Sequence, residues 1–388
     1  MTAPTPTAPT PDRSGLNALQ LLSGDAQTFL AKVWASRVHV HHTAPDELVG
    51  FLSFDDVDRL LTSTAIRTPA VRVARDGDVL PASSYTRGAT LAGQPMTGLV
   101  DARKVAELFD DGATVVLQGL HRYWRPLGDL VADLELALGH PCQANAYLTP
   151  PGSQGFAVHE DSHDVFVFQT HGRKVWEVHE SGEKQTVVLE PGVSMYLPTG
   201  TPHAARAEDS ASLHVTLGIN QVTWKQVLDR ALAGVLDDLG AQHLPAGYLD
   251  DPALLADRLR ERAAELAEAV RTVDADAVAA GEVRRFLTGR TLWQRGALHD
   301  RLAVRDLADT TVLRRRHGHP CVLLDEGDKV AVLLGDRELR MPAHVTPALE
   351  VVRAAETFRP ADLADHLDEQ SRLVLCRRLV REGLLEIR

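Results

Sequence analysis

The stretch that most constrains this chain runs over residues 145–220, and its centre reads GFAVHEDSHDVFVFQTHGRKVWEV over residues 155–178. Val165, Phe166, Val167 and Phe168 form one short apolar run, and Val175, Trp176 and Val178 form another. Runs of β-branched and aromatic residues bounded by Gly predict strands. The Gly in the intervening THGRK predicts that the two buried strands close as a hairpin. His159 and Asp161 precede the first strand, two residues apart. In an extended chain that spacing puts both side chains on one face. His203 follows a Pro/Gly-rich turn in MYLPTGTPHAARA and offers a third ligand. Two imidazoles and one carboxylate facing a metal, with other positions open, suit a non-haem Fe(II) centre.

The same residues fit a rival pattern, because HEDSH over residues 159–163 matches the zinc motif H-E-x-x-H. That chemistry needs a helix, where positions i and i+4 share a face. Pro150, Pro151, Gly152 and Gly155 lie just upstream and β-branched residues follow at once, so no useful helix fits. His163 then reads as a loop or surface histidine.

NAYLTPPGSQGF, the H-x-D pair, GRKVW and the distal Pro-x-His follow one another in order. Together they closely resemble the ribosomal oxygenase branch of the Jumonji C (cupin-type) protein hydroxylases, densely over residues 145–220. The resemblance implies that His159, Asp161 and His203 are both the catalytic centre and the ligands of Fe(II). It implies that Lys174 holds the far carboxylate of the cosubstrate 2-oxoglutarate, and that Asn145 and Tyr147 line the same pocket. His214 and Thr216, on the strand SLHVTLGI, are further pocket-lining candidates. A lysine facing inward among Val175, Trp176 and Phe168 needs an anionic partner, and a dicarboxylate supplies one. With O2 as co-reactant, the implied activity is hydroxylation of a protein side chain, histidyl or arginyl, in a ribosomal protein. The same chemistry on a biosynthetic peptide or small molecule is an alternative. A non-catalytic cupin module that holds metal or ligand is another, and the intact triad and Lys174 speak against it.

The implied fold is α+β: a double-stranded β-helix (cupin or jelly-roll) barrel with flanking helices. Residues 1–14 are Pro/Thr/Ala-rich and read as a disordered tail, and residues 15–222 as the catalytic domain. LNALQLLSG and DAQTFLAKVW predict helices, with Asp25 as an N-cap. ELVGFLSFDDVDRLL predicts another helical start. PAVRVARDG predicts a strand with a decorated loop, and VDARKVAELFDDGATVVLQ a helix, a turn and a strand. RPLGDLVADLELALG gives a further helix before the strand that begins near Cys142. His39, His41 and His42 read as structural, His121 and Arg122 as an ordinary strand end near the barrel mouth, and His171 and His179 as solvated. The segments 152–158 and 163–164 flank the expected metal and are candidates for substrate contact.

From residue 223 the periodicity turns helical. TWKQVLDRALAGVLDDLG and LLADRLRERAAELAEAVRTV are two amphipathic helices that cannot bury both faces alone. They need a partner: packing against the barrel is one reading, and the resemblance implies the other, a dimerisation segment over residues 223–289 that makes the protein a homodimer. Residues 290–388 combine strands joined by Gly/Asp turns with helices over TPALEVVRAA, FRPADLADHL and SRLVLCRRLVREG, an order that resembles a winged helix. Its acidic and basic residues nearly balance, so no direct nucleic-acid binding is expected. The net charge of −12 over 388 residues points the same way, while leaving docking onto a basic protein open. Three widely spaced cysteines without a CxxC pair predict a reducing, cytoplasmic setting. The basic start and apolar core of a secretory leader are missing from MTAPTPTAPTPDRSG.

Overall fold

The computed structural model describes residues 14–153, 157–240 and 242–388. Most of the predicted tail, residues 1–13, lies outside them, and Ser14 already belongs to the first helix. The chain opens with α1 (Ser14–Ser23) and α2 (Ala26–Lys32), and Asp25 caps α2 by accepting from the Thr28 amide at 2.9 Å. β1 (His39–His42), α3 (Pro45–Val49) and α4 (Phe54–Ser63) follow. The ELVGFLSFDDVDRLL run is thus two helices, because Ser53 and Asp56 form a reciprocal capping box that starts α4 afresh. Next come β2 (Val71–Arg75), β3 (Asp78–Val79), β4 (Thr86–Leu91), β5 (Gln94–Val100), α5 (Ala102–Asp110), β6 (Thr114–Leu117) and α6 (Arg125–Leu138). The predicted central stretch supplies β7 (Cys142–Thr149), β8 (Asp164–His171), β9 (Lys174–Glu180), β10 (Glu183–Leu189), β11 (Val193–Leu197), β12 (His203–Ala207) and β13 (Ser212–Ile219).

These strands form an eight-stranded sheet in the order β1-β11-β8-β13-β7-β6-β2-β3, a three-stranded sheet in the order β10-β9-β12 and a β4-β5 pair, with antiparallel pairing throughout. Alternation decides which residue serves which layer. Phe166, Phe168, Val115, Ala146 and Val215 face the helices and join Leu19, Phe29, Leu127 and Leu134 in the main core. Val165 and Val167 point the other way and pack with Trp176, Val178 and Met195 between the two sheets. Each fully buried Phe or Val contributes roughly 1.5–3 kcal/mol, so a one-residue slip in β8 would forfeit both layers at once.

The hairpin expected around THGRK does not form. β8 is flanked by β11 and β13, whereas β9 is flanked by β10 and β12 in the other sheet. The chain crosses between sheets at Gly172, whose φ is 65°. A Cβ there would lie 1.9 Å from the Ala211 carbonyl oxygen, so the crossing needs glycine. A short apolar run reads alike whether its partner is the next strand or a distant one.

Beyond β13, α7 (Trp224–Ala231) and α8 (Ala233–Gly240) replace the single helix expected there, and α9 (Pro252–Arg271) matches the second. α10 (Ala275–Gly289) was not anticipated. It leads into α11 (Ala297–Ala303), β14 (Leu313–Arg315), β15 (Val322–Asp325), β16 (Lys329–Leu333), β17 (Glu338–Pro342), α12 (Thr346–Ala354), β18 (Thr357–Phe358), α13 (Glu369–Arg381) and β19 (Leu385–Ile387). The FRPADLADHL segment, expected to be helical, makes only a 3-10 turn over Pro360–Leu363. Two three-stranded sheets, β18-β14-β19 and β15-β16-β17, share a separate core with α12 and α13. This unit is clamped to α6 by Arg290, which pairs with Glu135 at 3.0 Å and donates to the Ala132 and Gly318 carbonyls. Arg295 adds a second ion pair to Asp129 at 3.0 Å. No helix among the described residues is long and apolar enough to cross a membrane.

Candidate active site

His159 and His203 are tied at the backbone before their side chains are considered. Each amide donates to the other's carbonyl, at 3.0 and 2.9 Å, in an isolated antiparallel bridge. Residues 159–163 are not helical, so the H-E-x-x-H reading lacks the geometry it needs. Asp161 lies two residues on, and one ligand atom from each of His159, Asp161 and His203 falls within 4.8 Å of the others. Asp161 Oδ2 is 3.8 Å from His203 Nε2. Both imidazoles are oriented alike: His159 Nδ1 meets the Ala157 carbonyl at 2.9 Å and His203 Nδ1 meets the Thr201 carbonyl at 2.9 Å. Those contacts place the proton on Nδ1, so that Nε2 carries the lone pair a metal would take. Burial holds His203 below the ordinary imidazole range, with the neighbouring His159 adding to it and Thr201 and Asp161 opposing it. A neutral ring is the form that binds metal.

Behind the triad a cavity of about 230 Å³ runs between the two sheets. His159, Asp161, His203, Lys174, Tyr147, His214 and Thr216 all line it. Lys174 stands on the three-stranded sheet, 3% exposed, and its ammonium donates to Thr149 Oγ1 at 3.1 Å. The same hydroxyl accepts from Thr114 at 3.2 Å. Among the described residues no carboxylate pairs with Lys174, and burial lowers its pKa from 10.5 to about 7. His214 stacks on Tyr147 with ring centroids 4.9 Å apart and meets Trp176 edge-on at 5.4 Å. Burial, aided by the charge of Lys174, holds His214 well below its ordinary range, so it is neutral. His214 Nδ1, Trp176 Nε1 and Arg72 Nε are buried and find no hydrogen-bond partner among the described residues. Buried donors and acceptors left open around a cavity that also carries an unpaired ammonium fit a polar, anionic guest.

Asn145 does not line this cavity. It pairs with Thr216 across β7 and β13, and its Oδ1 accepts from the Gly119 amide at 3.0 Å. His121 and Arg122 border a separate crevice of about 1570 Å³ between the sheets and the C-terminal unit. His121 Nδ1 accepts there from the Ala144 amide. His39, His41 and His42 form β1, and His179 pairs with Glu177 at 3.0 Å. Of the candidate substrate segments, residues 154–156 lie outside the described residues. Asp164 is 3% exposed and its carboxylate is committed to Tyr196 and Thr199, so it is withdrawn from substrate.

Sequence reasoning missed Arg72, Thr114 and Thr149. Arg72 carried a faint signal: in PAVRVA a charged residue sits between two valines of a strand. Val71 and Val73 pack under the helices, which turns Arg72 toward the cavity. Burial raises the Tyr147 phenol, with Arg72 opposing and Asp161 adding to the rise, whereas burial alone acts on Lys174. Arg72 is in register with Val116, and Val116 with Tyr147, so Arg72 shares a wall of the cavity with Tyr147, whereas Lys174 stands on the other sheet.

Residues 129–187 and 182–227 match the JmjC domain family. The chain is 32% identical over 236 residues to the bifunctional lysine-specific demethylase and histidyl-hydroxylase NO66 of Branchiostoma floridae, covering 58% of this chain and 37% of that protein. It is 31% identical over 207 residues to human ribosomal oxygenase 1, covering 47% of this chain and 31% of that one. It thus spans about a third of the length of these two relatives. The crystal structure of Escherichia coli ribosomal oxygenase YcfD aligns over 95% of this chain and 99% of its own, with a TM-score of 0.52 and 19% identity. A structure of the same protein in complex with cobalt and 2-oxoglutarate aligns over 93% of this chain and 97% of its own, with a TM-score of 0.51 and 19% identity. Mixed helices and antiparallel sheets around a His-Asp-His cluster thus define a cupin-like JmjC fold. Over residues 129–227 the chain is similar to the JmjC domain family, and its similarity extends to the ribosomal oxygenases.

Proposed function

We propose that this protein is an Fe(II)- and 2-oxoglutarate-dependent oxygenase that hydroxylates a protein side chain. The observation that carries this reading is one cavity with a three-ligand cluster at one end and a buried, carboxylate-free lysine at the other. His159, Asp161 and His203 would hold the metal, and Lys174, steadied by Thr149, would take the distal carboxylate of 2-oxoglutarate. Bound there, iron, cosubstrate and O2 supply the oxidising chemistry that places hydroxyl on a carbon of the target. The chain's own residues orient and shield it. The Ala157 and Thr201 carbonyls hold the Nδ1 protons of the two imidazoles. His214, stacked between Tyr147 and Trp176, presents a neutral edge, and Val165, Val167 and Trp176 keep bulk water from the inner end. The name histidyl-hydroxylase carried by NO66 supports a histidyl target; an arginyl side chain, and a ribosomal protein as its bearer, come from the resemblance of the sequence motifs.

The finer architecture follows the same reading. The two sheets are taken as a double-stranded β-helix spanning residues 15–222, and residues 290–388 as a winged-helix-like unit for structure or protein docking rather than nucleic acid. Along residues 223–289, Trp224, Leu249 and Leu259 are 82%, 83% and 64% exposed. Apolar side chains left this open support a homodimer through these helices, and sedimentation of the full chain at two concentrations tests it. A cytoplasmic setting agrees with cysteines that are buried and widely spaced in the chain.

The decisive experiment loads the protein with Fe(II) under nitrogen, adds 2-oxoglutarate and records the weak visible charge-transfer band of the chelate. The band is expected in the wild type and absent in Asp161→Ala and Lys174→Ala. A wild type that shows no band and retains zinc, or no metal, overturns the proposal.

A further inference from the structure

Asp164 stands three residues after Asp161, at the first position of β8, and its buried carboxylate is engaged on both oxygens. Oδ1 accepts from the Thr199 amide at 2.8 Å and from Thr199 Oγ1 at 2.7 Å. Oδ2 accepts from the Tyr196 hydroxyl, which in turn accepts from the Ala35 amide at 2.9 Å. Gln221 closes the ring, donating to Thr199 Oγ1 at 2.7 Å and accepting from the Asp164 amide at 3.4 Å. Residues 198–201, gripped in this way, form the turn that delivers His203. Two atoms of that turn touch the triad: the Gly200 amide donates to the Asp161 carbonyl at 3.0 Å, and the Thr201 carbonyl takes His203 Nδ1 at 2.9 Å. The ligands come from two separate loops, and the backbone bridge between His159 and His203 is one tie between them.

We propose that Asp164 is a positioning residue for the metal centre: its carboxylate locks the turn at residues 198–201 onto the start of β8 and so sets His203 against His159 and Asp161. The inference rests on the metal reading above but concerns a residue that touches no ligand atom. A ligand cluster tolerates only about 0.5 Å of misplacement before it loosens. The His159–His203 bridge, the Gly200–Asp161 hydrogen bond and the pairing of β12 with β9 fix the backbone on either side of the turn, and Asp164 adds a side-chain lock on the turn itself. Its charge strengthens the grip, since hydrogen bonds to an ionised acceptor are about twice as strong as neutral ones.

The test is titration of the full chain with Co(II), read by its visible d–d spectrum, which needs neither turnover nor target. Wild type should bind. Asp164→Ala should bind about tenfold or more weakly, the range seen when outer-shell partners of metal ligands are removed, with an altered band shape. Tyr196→Phe removes a buried hydrogen bond on the other side of the carboxylate. It should lower thermal stability while leaving Co(II) affinity and spectrum as in wild type, which separates positioning from general destabilisation. Asp164→Asn, which keeps an acceptor toward Thr199, should recover most of the affinity. If Asp164→Ala does not fold, Thr199→Val carries the test, because it removes one of the two Oδ1 contacts on an exposed turn; binding as tight as wild type overturns the proposal. Wild-type affinity and spectrum in Asp164→Ala, or equal weakening in Tyr196→Phe, also overturns it. Failure of the wild type to bind Co(II) at all would instead sink the metal reading itself.

Discussion

Replacing Lys174 by Met should make the cosubstrate-free protein more stable and abolish cosubstrate binding. Burial moves this ammonium from its ordinary 10.5 to about 7. At about 1.4 kcal/mol per pH unit, carrying the charge inside costs about 5 kcal/mol once the pH is below 7. The hydrogen bond to Thr149 offsets about 1 kcal/mol of that. The direction in pH follows from the two states. The unfolded chain keeps its proton up to about pH 10.5 and the folded chain only up to about 7, so folding is penalised increasingly as pH falls from 10.5 to 7 and by a constant amount below. At pH 9 only about 2 kcal/mol of the penalty is present. Lys174→Met should therefore gain roughly 2–3 kcal/mol more over wild type at pH 6 than at pH 9. Urea unfolding at the two pH values measures this. Repeating the pH 6 series with Co(II) and saturating 2-oxoglutarate should stabilise wild type markedly more than the variant. A Lys174→Met advantage that is the same at both pH values would refute the account of Lys174 as a charge buried to meet an anion.

Three further outcomes follow. Asp161→Ala should abolish 2-oxoglutarate turnover while far-ultraviolet circular dichroism and thermal midpoint stay near wild type, because Asp161 is partly exposed and on a loop; turnover at the parent rate means the ligand assignment is wrong. Arg290→Ala strands Glu135 in a buried pair whose side chains are 2% and 12% exposed, which should cost about 3–5 kcal/mol in denaturant unfolding. A loss below 1 kcal/mol would show that the C-terminal unit is held by apolar contact instead. Arg72→Gln should leave the Fe(II)–2-oxoglutarate band intact and slow only hydroxylation of the protein target, since Arg72 shares its wall with Tyr147 and Lys174 stands on the other sheet; loss of the band would place Arg72 with the cosubstrate.

Local chemistry made part of this protein legible in its sequence. His159 and Asp161 share a face because any extended chain puts alternate residues there, and α2 starts where Asp25 can cap it. Lys174 was different: taken alone, a lysine in that strand could as well reach out to solvent, and it was the surrounding motif that pointed it at an anionic guest. What the order of residues could not supply was the partner of each strand. β8 and β9 follow one another and are both apolar, yet they belong to opposite sheets, because Gly172 lets the chain turn where any side chain would strike Ala211. That crossing places Lys174 on the wall facing Thr149, 25 residues earlier, and no local pattern encodes such a meeting. Arg72 joined the site for a similar reason: Val71 and Val73 had to be buried under the helices, and the alternation of a strand then turned the guanidinium inward. Asp164 read as a candidate for substrate contact beside the metal. Only the folded chain, with Thr199 and Tyr196 brought to it from more than thirty residues away, commits both of its oxygens and gives it a structural task.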